Sequence, residues 1–389
     1  MKDYSSISTR TVGLAIFTML FGAGNIIYPI KAGLSAGGSI YTTIFGFLIT
    51  SVLLPIIGLV TMILFDGNYK EFFGRIGKVP GALAITFCMF IIGPFLVMPR
   101  CVTVPYDILA PLFPTISIST FSSLFCAVAF LLAYKESKIL DLMSKYISWI
   151  LLGSIGFIIV SGLWFAQTTQ PQTLPTSTIF ANQLLQGFQT LDLIGSLFFA
   201  YIIVRLIKIK AGKEISQKNI ALICLKGGLL SGLFMTGFYI GLSFLGAYYS
   251  NIVTESMNGA EIFRTIAMHV VGKYGVITLV VGILMACLST LVALAAIFAE
   301  YLKKELCSNS ISYITSLTLT LIVTTIVSNF GLSNILKYSE PLINFGYPII
   351  VVITLCNAAY KLFNFETIKV PVFITTAVMG WIYIVPLFA

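Results

Sequence analysis

The sequence predicts an all-α polytopic membrane protein, and its composition carries that prediction. Of the 389 residues, 58% are hydrophobic and only 10% are charged, and the mean hydropathy is +1.00. Soluble domains carry about 25% charged residues, so a chain this poor in charge needs lipid as part of its solvent. No polar stretch is long enough to form a separate soluble domain, so we expect one transmembrane domain over residues 1–389.

Eleven apolar windows, separated by polar turns, predict about eleven transmembrane helices. A helix needs about 20 predominantly apolar residues to cross a bilayer, and each window is close to that length. The predicted spans are residues 11–35, 39–65, 81–108, 116–134, 146–166, 188–207, 227–248, 274–299, 311–328, 338–360 and 370–388. The longest polar connections between them are 167–187, 208–226 and 249–273.

The distribution of basic residues predicts a cytoplasmic N-terminus. With that orientation, 18 of the 23 Lys and Arg residues fall on the cytoplasmic side of the predicted spans and 5 fall outside. Membrane proteins concentrate Lys and Arg in their cytoplasmic loops. The same bias explains the net charge of +9, so we expect no nucleic-acid partner.

Residues that could build a metal centre or a catalytic site are scarce. The seven cysteines have no metal-binding spacing, and the single histidine, His269, is predicted to lie in a polar connection. A lone histidine in a connection cannot complete a Ser/His/Asp set within the membrane. We therefore expect no cofactor and no enzymatic activity.

The first span contains a cluster of residues that predicts a break in its helix. Gly22 and Gly24 flank Ala23, Asn25 follows, and Pro29 comes about one turn later. Gly and Pro both weaken helices, and a break inside the membrane frees backbone groups that must bind something or line a cavity. The second half-helix would direct its positive N-terminal end at an anion such as a carboxylate. Close packing between helices is the alternative role for the glycines.

The sixth span carries an acidic residue. Asp192 lies about one turn inside it, and Gly195 and Ser196 follow. An ionisable residue inside a span is a functional candidate, whereas a solvated position at the outer interface is the alternative. Spans one and six would occupy corresponding places if the chain consists of two five-helix halves, and interrupted helices at such places mark the central site of many transporters.

Two further spans carry polar residues of interest. Ser289 and Thr290 are adjacent hydroxyls in the apolar eighth span, and hard oxygens suit a small cation, although such hydroxyls often bond to their own helix. The third span contains Arg100 together with Pro94, Pro99 and Pro105, which would bend or break it. Arg100 is a candidate gate charge, or its side chain could extend outward to water.

Several of these segments together resemble a known family, the branched-chain amino acid:cation symporters of bacteria. The resemblance runs in order along nearly the whole chain. It rests on FGAGNIIYPIKAGLSAGG at 21–38, GPFLVMPRCVTVPYD at 93–107, LDLIGSLFFAYII at 191–203, NGAEIF at 258–263 and MACLSTLVALAAIFAEYL at 285–302. It implies a LeuT-type fold with inverted halves at about 11–166 and 188–360 and an extra helix at about 370–388. Relatives usually have twelve spans, so the apparent lack of a twelfth helix puts oligomer contacts through that helix in doubt.

The resemblance also implies roles for individual residues. Backbone N–H groups near Ala23 and Gly24 would bind the substrate carboxylate, and Gly195 and Ser196 would lie where the sixth helix unwinds to meet the ammonium group. The carbonyls of Thr18, Phe21 and Ala286, with the hydroxyls of Ser289 and Thr290, match a sodium site. Asn25 matches a residue that serves a second cation, while Asp192 and Arg100 are candidates for a coupling or gate role.

The resulting expectation is a secondary transporter in the bacterial cytoplasmic (inner) membrane. It would import leucine, isoleucine and valine by sodium symport through alternating access, with lipid around it and no covalent chemistry. The same scaffold could carry another neutral amino acid or couple to protons. A channel is the alternative from a different class, but it would need a continuous polar pore and rings of acidic residues. The sequence leaves the oligomeric state and the stoichiometry open.

Overall fold

The structure is a computed structural model that describes residues 8–134, 139–166, 175–211, 217–254 and 257–383. Within these ranges it contains helices and no strand, and the all-α membrane fold is confirmed. The α-helices of the described residues are α1 (Thr9–Leu20), α2 (Ala23–Leu34), α3 (Ile40–Leu48), α4 (Leu54–Leu64), α5 (Tyr69–Gly74), α6 (Lys78–Ile92), α7 (Val97–Leu109), α8 (Ile118–Ala133), α9 (Ile139–Leu142), α10 (Ser148–Trp164), α11 (Thr176–Phe188), α12 (Asp192–Ala211), α13 (Gln217–Tyr248), α14 (Gly259–Val271), α15 (Lys273–Tyr301), α16 (Tyr313–Ser328), α17 (Leu332–Phe363) and α18 (Lys369–Tyr383).

Short π-helical turns keep several of these pieces continuous. One such turn, Ile49–Leu53, joins α3 to α4 and so forms a single apolar span of 25 residues. A second turn, Met143–Ile147, leads into α10, and a third, Leu302–Leu306, extends α15. Each turn shifts the helical register without ending the helix, so the spans remain long enough to cross a bilayer.

The apolar helices correspond to the predicted windows. Among the described residues, seven helices are long and apolar enough to cross a membrane, and α1 with α2 forms one further span that bends by 71°. Three shorter apolar helices, α8, α16 and α18, match the windows at 116–134, 311–328 and 370–388. Because these three fall short of about 20 residues, the count of eleven spans stays a prediction, as does the division into halves.

Parts of the predicted polar connections are helical instead. The connection predicted at 167–187 contains α11, so the sixth span begins at Thr176 rather than at residue 188. The connection predicted at 249–273 contains α14, and His269 therefore lies on a helix rather than in a connection. A capping box starts α14: the Asn258 side chain accepts from the backbone N–H of Glu261, and the Glu261 carboxylate accepts from that of Asn258. The helices α11 and α14 contain too many polar residues to be predicted as apolar spans.

Two spans form the centre of the bundle. In the apolar stretches of Thr176–Lys208 and Lys273–Leu306, 89% and 78% of the residues are buried, against 39% for Lys218–Tyr248. The broken first span lies beside them, with α1 and α2 both packed along α13 and with α1 also touching α12 and α15. The predicted functional segments of spans one, six and eight therefore meet in the interior.

Candidate functional site

The first span is interrupted at Phe21 and Gly22. The helix α1 ends at Leu20 and α2 begins at Ala23, with Gly22 in an extended conformation. The Asn25 side chain stabilises the break, because its Oδ1 accepts a hydrogen bond of 3.0 Å from the backbone N–H of Gly22. The predicted break in the GAGN segment is thus present, and Asn25 satisfies one of the N–H groups that a helix start leaves without a partner.

Close packing also accounts for both glycines of this break. A Cβ atom on Gly24 would lie 3.2 Å from the Cα atom and the carbonyl oxygen of Thr190, in the sixth span. A Cβ atom on Gly22 would lie 2.8 Å from the Oγ1 atom of Thr290, in the eighth span. The glycines therefore allow the broken segment to contact two other spans, so the same residues serve both the helix break and the close packing.

The sixth span is interrupted at Gln189, Thr190 and Leu191, between α11 and α12. Leu191 adopts a left-handed backbone conformation with φ of 64°, which is uncommon for a residue other than glycine. The first turn of α12 is capped from another span, since the backbone N–H of Leu193 donates to the Tyr347 hydroxyl at 3.1 Å. The break therefore depends on a tertiary contact.

The predicted unwinding of this helix at Gly195 and Ser196 is wrong in position. Both residues lie inside the continuous helix α12, about one turn after the break. Gly195 still lines the central cavity. The Ser196 hydroxyl instead donates to the Leu193 carbonyl at 2.8 Å and lies on the side of α12 that faces Gly58. The Ser196 side chain therefore packs between helices.

Asn25 and Asp192 join the two breaks. The Asn25 amide donates to both carboxylate oxygens of Asp192, at 2.8 and 2.7 Å. The Tyr239 hydroxyl donates to the same carboxylate at 2.8 Å and also lies within hydrogen-bonding reach of the Asn25 amide. Asp192 is 3% exposed, so a solvated position at the outer interface is excluded. Because it is the first residue of α12, its charge also faces the positive end of that helix.

A small cavity lies between the two breaks. Its volume is about 30 Å³, which is room for about two water molecules. The residues that line it are Leu20, Gly22, Ala23, Gly24, Asn25, Ile92, Val97, Thr190, Leu191, Asp192, Gly195, Phe199, Thr290 and Leu294. Asp192 is the one charged residue among them. The cavity therefore has a polar end at the helix breaks, and aliphatic and aromatic side chains line most of the rest.

The two hydroxyls of the eighth span face the first span. Ser289 donates to the carbonyl oxygens of Thr18 and Ala286, both at 2.8 Å. Thr290 donates to the carbonyl oxygen of Met19 at 3.0 Å. Four of the oxygens predicted for a cation site are thus brought together, and Met19 adds a carbonyl that the sequence did not indicate. A coordinating role for the Phe21 carbonyl stays a prediction.

Arg100 contacts the sixth-span break from the third span. The third span is interrupted between α6 and α7, at residues 93–96, as its prolines predict. Arg100 is 3% exposed and therefore does not extend to water. Its guanidinium donates to the backbone carbonyl of Gln189 at 3.3 Å and to the Ser339 hydroxyl.

Sequence reasoning missed Tyr239 and Tyr347, which contact the polar end of the site from α13 and α17. Both are fully buried tyrosines. A buried tyrosine usually finds a hydrogen-bond partner for its hydroxyl. A tyrosine within an apolar span is thus the only signal that the sequence offered, and that signal does not tell which tyrosine reaches the site.

The chain is similar over nearly its whole length to known transport proteins. A family model described as "Branched-chain amino acid transport protein" matches residues 5–385. The branched-chain amino acid permease BraB of Bacillus subtilis is 30% identical over 364 residues, which cover 92% of this chain and 81% of the relative. The permease BrnQ of Escherichia coli K12 is 30% identical over 342 residues, covering 87% and 77% respectively. Such permeases are transporters and not enzymes.

Solved structures show the same fold at low sequence identity. A closed conformation of the nucleobase-cation-symport-1 family transporter Mhp1 matches with a TM-score of 0.66 and 14% identity, covering 97% of this chain and 94% of the other. A Na⁺-coupled sialic acid symporter in an outward-open state matches with a TM-score of 0.57 and 13% identity, covering 99% and 91%. These likenesses support the LeuT-type architecture. Together with the family match over nearly its whole length, they lead to one conclusion: the chain belongs to the branched-chain amino acid transport protein family.

Proposed function

We propose that this protein imports branched-chain amino acids together with sodium, by alternating access to the cavity between the two helix breaks. The observation that carries the proposal is the division of that cavity into a polar end and an apolar remainder. An amino acid with an aliphatic side chain has the same division. The family membership supports amino-acid transport, and the cavity supports the choice of substrate within that class.

The polar end suits the main-chain groups of an amino acid. Ala23 and Gly24 are the first two residues of α2, so their backbone N–H groups have no acceptor within that helix. With the positive end of the helix they favour a carboxylate. Asp192 supplies the negative charge that an ammonium group would pair with, and Asn25 and Tyr239 hold that carboxylate in place.

The apolar remainder suits a branched aliphatic side chain. Its walls are formed by leucine, isoleucine, valine and phenylalanine side chains from four spans: Leu20, Ile92, Val97, Leu191, Phe199 and Leu294. No second charged residue among the cavity residues could pair with the side chain of lysine or glutamate. Burying such a charge without a partner is costly, so we expect these amino acids to be excluded.

Sodium coupling is supported by the oxygens between α1 and α15. The Ser289 and Thr290 hydroxyls donate to the carbonyls of Thr18 and Met19. A sodium ion at this position would take over the carbonyls and turn the hydroxyl oxygens toward itself, so each hydroxyl would act as an uncharged ligand. One positive charge that moves down the membrane potential contributes about 2.3 kcal/mol per 100 mV, which would drive accumulation of the substrate.

The size of the cavity and the contacts that close it support alternating access. A volume of about 30 Å³ is too small for an amino acid, so the breaks must separate to admit one. Arg100 contacts the Gln189 carbonyl on one side of the site. Toward the other end of the bundle, the carboxylate of Glu300 pairs with Arg205 and Lys304 and so joins α12 to α15. We propose that these contacts are the two seals.

The orientation proposed is a cytoplasmic N-terminus in the bacterial cytoplasmic membrane. Four bonded basic residues support it, because Lys70, Arg75, Arg205 and Lys304 meet acidic or amide groups at one end of the bundle. Positive charge concentrated at one end favours that end as the cytoplasmic one.

Proton coupling is a second candidate, and Asp192 favours it. Its carboxylate is buried among neutral partners, Asn25 and Tyr239. Binding of a proton would neutralise the buried charge, just as binding of a cation would, and so remove the cost of burying it. A proton gradient could therefore replace the sodium gradient at the same site.

Reconstituted transport tests both candidates. Purified protein in liposomes should take up radiolabelled leucine when a sodium gradient is imposed, and unlabelled isoleucine and valine should compete whereas lysine and glutamate should not. Uptake that follows a pH gradient without sodium would replace the sodium proposal with the proton alternative. Equal competition by glutamate would refute the assignment of the substrate.

A further inference from the structure

A groove separate from the central cavity lies at one end of the bundle, where α5 and the start of α6 meet the end of α15. We call it the interfacial groove. Its volume is about 430 Å³, within the range of small-molecule binding sites. The residues that line it are Tyr69, Lys70, Gly74, Lys78, Gly81, Ala82, Ile85, Thr86, Tyr301, Glu305 and Leu306. None of them lines the central cavity.

The position of the groove along the helices puts it at a membrane surface. Lys78 is the first residue of the apolar helical stretch Lys78–Leu109, and Leu306 is the last residue of the stretch Lys273–Leu306. Both stretches are long enough to cross a bilayer, and both line the groove at these ends. The groove therefore lies where lipid headgroups meet water. With the proposed orientation of the chain, that surface is the cytoplasmic one.

The polar end of the groove carries a net positive charge. Lys70 and Lys78 line it together with one acidic residue, Glu305. Lys70 pairs with Glu305 at 2.7 Å, and the two side chains are 60% and 25% exposed. No residue in the described part of the chain forms an ion pair with Lys78. One positive charge is therefore left without compensation, which favours an anionic ligand.

The apolar wall of the groove continues into the surface that faces lipid. Gly81, Ala82 and Ile85 form this wall on α6. Beside them, Val79 and Leu83 are 70% and 66% exposed, and exposed apolar side chains on a membrane-spanning helix contact lipid tails. A hydrocarbon chain could thus lie in the groove and extend along α6 into the bilayer.

We propose that the interfacial groove binds one anionic glycerophospholipid, with its phosphate at Lys78 and Lys70 and one acyl chain along Gly81, Ala82 and Ile85. Basic pockets between membrane helices on the cytoplasmic side suit lipid headgroups. A free phosphate ion would leave the apolar wall without a partner. A zwitterionic lipid would bring a further positive charge to the two lysines. An anionic lipid matches both parts of the groove.

A lipid in the groove would join three helices. Lys70 belongs to α5 and Lys78 to α6, and Tyr301 of α15 shares a hydrogen bond of 3.0 Å with the Thr86 hydroxyl of α6. A ligand that binds the folded protein and not the unfolded chain stabilises the folded state. Phosphatidylglycerol should therefore raise the melting temperature of the protein in detergent, and phosphatidylcholine should raise it less.

Lipid retention by the purified protein tests the role of the lysines. In native mass spectrometry, wild-type protein titrated with phosphatidylglycerol should keep one lipid under conditions that remove phosphatidylcholine. Lys78→Gln should weaken this binding about fivefold, which corresponds to about 1 kcal/mol for a lysine near a membrane surface, whereas Lys78→Arg should keep it. Equal retention by Lys78→Gln and the wild type overturns the proposal.

Lys369→Gln is the matched control for the charge. Lys369 is an exposed lysine that begins the apolar helix α18, and it does not line the groove. The predicted spans put it at the same membrane surface as Lys78. Its substitution should leave the retention of phosphatidylglycerol unchanged, and a loss equal to that of Lys78→Gln would mean that any surface lysine attracts the lipid, which overturns a specific site.

Ala82→Phe tests the acyl chain without changing any charge. Ala82 is exposed and lines the groove, so a phenyl ring there would occupy the space of the chain, and phosphatidylglycerol binding should fall about tenfold. Leu83→Phe is the matched control, because Leu83 is exposed beside the groove and does not line it. Equal binding by the two variants overturns the placement of the lipid in the groove.

Competition separates the lipid from other ligands of related chemistry. Inorganic phosphate at millimolar concentration should not displace phosphatidylglycerol, since it gains nothing from the apolar wall. Phosphatidylethanolamine should bind about fivefold more weakly, because its ammonium group meets the lysines. Displacement by inorganic phosphate, or equal affinity for phosphatidylethanolamine, overturns the choice of an anionic lipid.

These measurements do not depend on the proposed function. They are made in detergent without sodium or amino acid, and the groove shares no lining residue with the central cavity. A protein that transports no leucine but retains phosphatidylglycerol would refute the proposed function and support the lipid site. A protein that transports leucine but retains no phosphatidylglycerol would overturn the lipid site alone.

Discussion

Asn25 bridges the two broken spans with opposite ends of one amide group. Its oxygen accepts from the backbone N–H of Gly22 at 3.0 Å, and its nitrogen donates to the Asp192 carboxylate at 2.8 and 2.7 Å. The first contact fixes the start of α2, and the second ties it to the start of α12. We therefore expect a change at either residue to alter both helix breaks.

Exchanging the two residues tests this coupling. Asn25→Asp places two carboxylates against each other in a buried site, where like charges are unfavourable, so leucine uptake should fall at least tenfold and thermal stability should drop. Asp192→Asn removes the charge and should also abolish most uptake. The double variant Asn25→Asp/Asp192→Asn restores one carboxylate and one amide, and it should recover melting temperature relative to Asn25→Asp alone. Melting curves in detergent check this, and additive losses in the double variant would refute a direct coupling.

Gly24→Ala should separate the two breaks. Its new Cβ atom would lie 3.2 Å from the Thr190 backbone, which cannot rotate away as a flexible side chain could. We expect leucine uptake to fall about tenfold with the protein still present in the membrane. Gly237→Ala in α13 is the matched control, because a Cβ atom there meets nothing within 4 Å, and alanine is the better helix former. Equal uptake by both variants would show that close contact between the breaks is not required.

The two breaks differ in how far the sequence predicts them. The first break is caused by residues of its own segment, since Gly22 has no side chain and Asn25, three residues later, caps the following helix. The second contains no glycine or proline at Gln189, Thr190 or Leu191. It depends on Asp192, which Asn25 and Tyr239 hold, and on the Tyr347 hydroxyl that caps Leu193. These partners are distant in sequence, and the family resemblance placed the unwound segment at Gly195 and Ser196, about one turn too late.

The oxygens of the proposed cation site are likewise only partly predictable from the sequence. Ser289 and Thr290 are visible as polar residues in an apolar span, and their position on the side that faces α1 follows the prediction. Which carbonyl each hydroxyl meets depends on how two helices pack, and the pairing of Thr290 with Met19 was not predicted. The positions of the spans were more predictable from the sequence than the contacts between them, because the length of an apolar stretch is a local property of the sequence.

Glu300→Gln should destabilise the protein more than Glu305→Gln. The Glu300 side chain is 9% exposed and pairs with Arg205 and with Lys304, the latter at 2.5 Å. Removing a buried partner leaves charges without compensation, and we expect a loss of about 2 kcal/mol. Glu305 pairs with Lys70 at 2.7 Å, but the Lys70 side chain is 60% exposed, and surface pairs contribute about 0–1 kcal/mol. Thermal unfolding monitored by a thiol-reactive dye compares the two, and equal melting temperatures would contradict a larger stabilising contribution from Glu300.

Ser289→Ala and Thr290→Val should weaken the sodium dependence of uptake more than they weaken folding. Each substitution removes one hydroxyl oxygen near the carbonyls of Thr18 and Met19 while it keeps most of the side-chain volume. The loss of one oxygen ligand should raise the sodium concentration for half-maximal uptake about tenfold, and the double variant should raise it further. Leucine affinity at saturating sodium should change less, because the Asn25 and Asp192 contacts remain.

Thr320→Val is the matched control for these hydroxyls. The Thr320 hydroxyl is also buried in an apolar span, but it donates to a carbonyl of its own helix, Ser316, at 2.7 Å. A hydroxyl that bonds within its own helix contributes to helix packing and not to a site between helices, so the sodium dependence of this variant should match that of the wild type. Uptake is measured in liposomes over a range of sodium concentrations at fixed membrane potential. The double variant Ser289→Ala/Thr290→Val could reach the membrane in normal amount and keep the wild-type sodium dependence. That result would show that the two wild-type hydroxyls stabilise only the contact between α1 and α15, and that the coupling ion binds elsewhere.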